Sequence, residues 1–404
     1  MKSSRALALL LLMPPTLLFP AFAMSECLPQ YTHTIGEGPD SQLVFVQGPA
    51  PVAVRLAGPF DLPWSVAPLP NGAFLVSERP GRLRYVEPGT EPRQIFGVPP
   101  VYFRGHGGLL DLAADQNFES NQLIYFTYLQ GDQAQSVLRV MRARVDLARN
   151  VLADKTVLFE GSPAAKPEML GARLALTRDG YLFLSMGDRW EPQHAQELSD
   201  YTGTVIRIRT DGSLPDDNPF HAREGAKPEI WSYGHRNPQG LAYDRDTAEL
   251  WSTEHGPQGG DELNHLSPTG NYGWPLATYG VEYTGRPIAV SSHQPGTEQP
   301  FHYWVPISIA PSGLAVETVG DETTIWMGSL AGERLLQLSV AGGCLMREQH
   351  YFKNELGRIR DVRVHEGVVY FLTDGGQGML YKLDRNLGSD ATDALDAGFT
   401  AKVP

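Results

Sequence analysis

Asp179-Gly-Tyr-Leu-Phe-Leu-Ser185 decides the fold. An Asp-Gly turn pair opens onto an aromatic and aliphatic run, which reads as a strand entered through a tight turn. The phrase recurs as Asn71-Gly-Ala-Phe-Leu-Val-Ser77, Asn121-Gln-Leu-Ile-Tyr-Phe-Thr127 and Thr247-Ala-Glu-Leu-Trp-Ser-Thr253. It returns again as Glu322-Thr-Thr-Ile-Trp-Met-Gly328 and Glu366-Gly-Val-Val-Tyr-Phe-Leu372. An apolar strand precedes each run: 64–69, 109–114, 174–177, 241–243, 313–316 and 359–364. A third strand follows most of them, as in Thr204-Val-Ile-Arg-Ile208 and Arg334-Leu-Leu-Gln-Leu338. Helical periodicity is scarce.

Six copies of one β-meander predict an all-β fold, a six-bladed β-propeller over 61–385. A single twisted sheet of so many strands would not hold together, whereas blades around an axis leave only short, protected edges. A pair of β-sandwiches is the structural alternative. Residues 24–60 are assigned to an N-terminal extension and 386–404 to a C-terminal tail. A propeller builds its site from loops around the central channel, so the long insertions at 187–235 and 254–308 matter most.

Composition sets outer bounds. Of 404 residues, 42% are hydrophobic, which excludes wholesale disorder. The formal charge of −13 argues against a general nucleic-acid or anionic-membrane binder. Lys2 and Arg5, the apolar stretch 6–19 and Ala21-Phe22-Ala23 read as a signal peptide over 1–23. The alternative, a membrane anchor, is opposed by Pro14 and Pro15 in a short run. No other segment could span a bilayer, so the mature protein is expected in the periplasm or outside the cell. In that oxidising setting Cys27 and Cys344 suggest one disulfide; two buried thiols are the alternative.

Four loops carry candidate chemistry. Glu254-His-Gly-Pro-Gln-Gly-Gly-Asp-Glu-Leu-Asn264 exposes carbonyls through Gly and Pro and adds the hard oxygens of Asp261 and Glu262. Ca²⁺ takes such ligands, although composition alone favours a solvated turn. Ser232-Tyr-Gly-His-Arg-Asn-Pro-Gln-Gly240 offers the Arg236 fork and the Asn237 amide, suited to a polyanionic or quinonoid ligand. Gly357-Arg-Ile-Arg-Asp-Val362 places Arg358 and Arg360 on one strand face, for an anion or for acidic surface groups. Arg104-Gly-His-Gly-Gly-Leu-Leu-Asp111 carries His106 on a glycine-rich loop. Hydrolase, NTPase and zincin signatures are absent.

In this order, with Gly180-Tyr-Leu-Phe-Leu184 and Asn271-Tyr-Gly-Trp-Pro275, these segments make a specific set over about residues 60–385. The chain resembles the soluble pyrroloquinoline-quinone (PQQ)-dependent aldose sugar dehydrogenases of the glucose/sorbosone dehydrogenase family. That family's fold is a six-bladed propeller. The resemblance implies that Arg236 and Asn237 hold the quinone carbonyls and that Arg358 and Arg360 face the cofactor carboxylates. It implies that the Gly256 and Pro257 carbonyls bind a Ca²⁺ bridging to the cofactor. Asp261, Glu262 and the Tyr272 carbonyl would form a second, structural Ca²⁺ site. His106 stands where the family usually has Gln, beside the sugar. Tyr303 and Trp304 are expected near the sugar-binding mouth.

Two positions depart from the pattern. The family's general base is a His in a His-x-Gly-Gly-Arg-Leu segment, and here that segment is Met169-Leu-Gly-Ala-Arg-Leu174. A thioether takes no proton at physiological pH. A Lys that often touches the cofactor is replaced by Ala331. The first hypothesis is an aldose dehydrogenase using PQQ and Ca²⁺, in which His106 or Glu168 substitutes for the base. The second is a non-catalytic Ca²⁺ propeller that binds a sugar or partner. The third is a Ca²⁺-dependent lactone hydrolase. The sequence names neither the sugar nor the electron acceptor.

Overall fold

The computed structural model describes residues 51–385. The 1–23 leader, Cys27 of the expected disulfide and the 386–404 tail lie outside the described residues. Among the described residues the chain forms six four-stranded antiparallel sheets. Blade one holds Pro63–Pro68, Phe74–Glu78, Arg82–Val86 and Arg93–Ile95, from the axis outward. Blade two spans Leu109–Glu160 and blade three Gly171–Tyr233. Blade four spans Pro238–Trp304 and blade five Pro311–Tyr351. The innermost strands touch in cyclic order, and Ile359–His365 of blade six returns to Pro63–Pro68. The six-bladed β-propeller is therefore present.

The repeated phrase carries apolar residues at successive positions because its strand is covered on both faces. In Tyr181–Met186, Leu182, Leu184 and Met186 enter the core shared with Leu129 and Leu138 of blade two. Phe183 points the other way, into the core shared with Leu241 and Leu250 of blade four. Period two survives, but both faces are buried.

The domain boundary moves. Val52–Phe60, assigned to the N-terminal extension, is the outer strand of blade six and pairs with Gly378–Asp384 from Val52↔Asp384 to Phe60↔Gly378. Both ends of the described chain thus close one sheet. The third strand of blade four is Asp261–Leu266, inside the stretch read as a polar loop.

Charged residues cross the channel axis. Arg173 is 1% exposed and donates to Asp361 at 2.7 Å, Asp111 at 3.3 Å, the Gln239 carbonyl at 2.7 Å and the Arg360 carbonyl at 2.9 Å. Trp64 covers its guanidinium at 3.9 Å. Arg363 binds the same two aspartates, and the Leu174 and Val66 amides donate to Asp111 and Asp361. Burial opposes charge on Asp111, but Arg363 and Arg173 outweigh it and hold its proton affinity below the ordinary carboxylate range. This ionic plug ties together residues from blades one, two, three and six.

Candidate active site

On one side of the plug lies a cavity of about 500 Å³ whose wall includes His106, Met169, Arg236, Asn237, His255, Gly256 and Pro257. Arg236 and Asn237 sit in the link from blade three to blade four. Glu254 fixes that link: its carboxylate accepts the Arg236 amide and, at 3.0 Å, His235 Nδ1. His235 in turn stacks on Tyr272 with centroids 4.7 Å apart. Arg236 Nη1 donates to the carbonyls of His255 at 3.0 Å and Gly256 at 2.6 Å. Asn237 Oδ1 accepts from the Gly171 amide and Gln239 Nε2, which orients the amide and leaves Nδ2 as its donor end.

His106 arrives on a loop jammed against blade one. A Cβ on Gly108, at φ +136°, would stand 2.1 Å from the Arg79 carbonyl oxygen, and Arg79 also binds the Gly105 and Gly107 carbonyls. His106 Nδ1 accepts the Met169 amide at 3.2 Å, so its Nε2 carries the proton. Burial, then Arg79, Arg360 and His255, push its pKa down to about 4. His255 has the opposite tautomer: Nε2 donates to the Pro311 carbonyl at 2.7 Å, leaving Nδ1 as the lone pair. Burial takes its pKa to about 3. Two neutral imidazoles therefore face the cavity, one configured as donor and one as acceptor. Met169 is 4% exposed at φ +52°.

The arginine pair is not among the residues lining the cavity, but Arg360 is close enough to help lower the pKa of His106 and His255. Arg358 and Arg360 both bind Asp374, at 3.1 and 2.8 Å, and hold its carboxyl down at about 2 against burial. Two cations share one anion, and the buried Arg360 Nε has no hydrogen-bond partner. Asn237, the unpartnered Nε and the surplus positive charge fit a polyanionic quinone. The Gly256 and Pro257 carbonyls fit a cation, although Arg236 shares the first of them.

Other expected residues separate. Glu168 lies against Gly105, behind the His106 loop, and is not among the residues lining the cavity. Tyr303 stacks on Tyr279 with centroids 3.8 Å apart, and Trp304 is core, so neither lines the cavity. Aromatic contact comes instead from Trp190 and Tyr283, with Ile307 beside them. The sequence carried no local signal for this, because Arg189-Trp190 reads as an ordinary turn after a strand.

Asp261 has four donors: the amides of Gly256, Ile309 and Ala310, and Ser308 Oγ. Glu262 faces Glu254 across the blade, and burial together with Glu254 raises its pKa to about 8. Its neighbour Asn264 keeps a buried Oδ1 with no partner. Such crowding of oxygens suits a cation, yet among the described residues no three His, Cys, Asp or Glu side chains are grouped for a metal. The Tyr272 hydroxyl is spent on the His265 carbonyl and the Ser267 amide.

Residues 60–382 match the family model described as Glucose / Sorbosone dehydrogenase. The chain belongs to the glucose/sorbosone dehydrogenase family. Aldose sugar dehydrogenase YliI of Escherichia coli (strain K12) is 37% identical over 83% of this chain and 93% of its own length. A crystal structure of a glucose dehydrogenase superposes with a TM-score of 0.78 at 37% identity, covering 82% of this chain and 99% of that one. The PQQ-bound aldose sugar dehydrogenase of Streptomyces coelicolor gives 0.70 at 28% identity, covering 83% and 99%. Sugar dehydrogenases with a PQQ-binding propeller are thus this chain's relatives. Among the described residues no helix is long and apolar enough to cross a membrane.

Proposed function

We propose that this protein oxidises aldose sugars to lactones with PQQ and Ca²⁺ as cofactors, after export to the periplasm or beyond. One observation carries the reading: Arg236, Asn237, Gly256 and Pro257 line a single cavity at the channel end. When bound, the quinone supplies a two-electron oxidant able to accept hydride. Arg236 and Asn237 would hold the quinone carbonyl oxygens, and Arg358 and Arg360 would supply positive charge towards its carboxylates. His106 Nε2–H orients an oxygen of the bound sugar.

Proton removal from the sugar hydroxyl is the weakest step. Met169 cannot perform it, His106 has Nδ1 engaged, Glu168 stands outside the cavity wall, and His255, whose Nδ1 lone pair faces the cavity, is a weak base with its pKa pushed down to about 3 by burial. Slow turnover is expected. Protein reconstituted with PQQ and Ca²⁺ should reduce a dye when an aldose is added. A broad panel giving no turnover rejects the activity. Met169 also supports a second reading, a propeller that binds quinone or sugar without turning it over. Quinone binding by absorbance titration, with no bleaching by any sugar, would select it.

A further inference from the structure

Aromatic residues around this cavity differ in depth. Trp274 is buried, 5.3 Å from the Arg236 guanidinium. Trp190 is 43% exposed, and Tyr283 and Ile307 in the same wall are 70% and 55% exposed. Three large exposed side chains gathered at one opening mark a contact surface rather than scatter.

Trp190 is held there against backbone preference. Arg189 and Trp190 are both left-handed, with φ of +53° and +63°, which is uncommon for side chains of this size. Buried polar groups impose the turn. Asp188 Oδ1 accepts the Trp190 amide at 2.9 Å, and Oδ2 accepts Trp274 Nε1 at 2.9 Å. The Arg189 guanidinium donates to the Lys166 carbonyl and to Ser136 Oγ, both at 2.9 Å. One carboxylate therefore ties the Trp190 backbone to the buried Trp274 indole. Strained backbone kept in place by a buried network is a mark of a used position.

We infer that Trp190 is the platform on which the pyranose ring of the substrate rests, and so a substrate-binding residue. This rests on the dehydrogenase reading above. The floor donors take a flat, anionic cofactor, and a ligand layered over them meets the lip. A pyranose presents a C–H face to an indole and its hydroxyls to the donors deeper in the wall. Lys166 and Arg236 stand 5.9 and 6.0 Å from the indole centroid and pin its orientation. Tyr283 and Ile307 add apolar surface to the rim. A lip that recognises a ring face more than individual hydroxyls discriminates weakly between aldoses.

Wild type, Trp190→Phe and Trp190→Ala, each loaded with PQQ and Ca²⁺, are compared on glucose, xylose and galactose. In Trp190→Ala, KM should rise about three- to tenfold, more than kcat falls. Trp190→Phe should keep most of the affinity. Quinone affinity, read by absorbance titration, should move less than KM. Glucose should also change the intrinsic fluorescence of the loaded wild type, and Trp190→Phe should lose that change. An unchanged KM in Trp190→Ala overturns the platform, as does quinone affinity falling in step with KM. If the wild type oxidises no aldose, the dehydrogenase reading fails by itself. Fluorescence then still decides: a wild type indifferent to glucose, or a glucose response surviving in Trp190→Phe, overturns the platform.

Discussion

Met169 shows how far a single residue can separate fold from activity. Its backbone, at φ +52°, is a conformation that His adopts more readily than an unbranched apolar residue. The site therefore accepts an imidazole without rebuilding. Met169→His should raise dye-reduction turnover by about 10² or more, the usual yield of a positioned base. Met169→Ala, which only adds space, should not. The two wall histidines make a second prediction. His106 stays neutral down to about 4 against an ordinary 6.5. Between those values the unfolded chain takes a proton that the folded one refuses, so stability falls as pH drops through that window. Thermal midpoints from pH 7 to pH 4.5 should decline, and His106→Gln should flatten part of the decline. That Arg236, Asn237 and His106 line one cavity was legible in the sequence, because their motifs sit on tight turns whose place in a propeller is set. Glu168 and Trp304 were not, since adjacency along a chain says nothing about which side of a loop a side chain takes.

At the scale of elements, the strand Asp261–Leu266 is the instructive case. Its charged start hid it inside a loop, because Asp261 and Glu262 break the apolar run that marks the other blades. Asp261 earns its burial by binding three amides and a hydroxyl that shape the cavity lip. Glu262 accepts from Asn264 Nδ2 at 3.1 Å, which does not offset burial and Glu254, and it holds its proton to about 8. A cation bound there must displace that proton, so binding strengthens as pH rises towards 8. The gain in thermal midpoint on adding Ca²⁺ should be larger at pH 8 than at pH 6, and Glu262→Gln should remove the difference. A gain independent of pH would place the cation elsewhere. The outer strands were equally hard to read: Cys344–Tyr351 is half exposed without alternation, so neither period two nor apolarity betrays it.

At the scale of the whole molecule, six similar blades need something that makes them one ring. Val52–Phe60 closes blade six with the opposite end of the chain, and the ionic plug bridges the axis. Strand repeats revealed the blades, but closure depends on pairings more than three hundred residues apart and leaves no local pattern. Arg173 is the centre of the plug. Removing one partner of a buried ion pair typically costs about 3–5 kcal/mol, because the other charge stays buried. Arg173→Met loses the guanidinium over Trp64 and leaves Asp111 and Asp361 with Arg363 as their one remaining guanidinium. Its denaturation midpoint should fall accordingly. Adding Asp361→Asn should restore part of the loss, since one stranded charge is then gone. Because Arg173 also binds the carbonyls of Gln239 and Arg360, the same substitution should weaken quinone binding without touching the cavity wall. Loss of stability with unaltered quinone affinity would show the plug to be a brace for the ring alone.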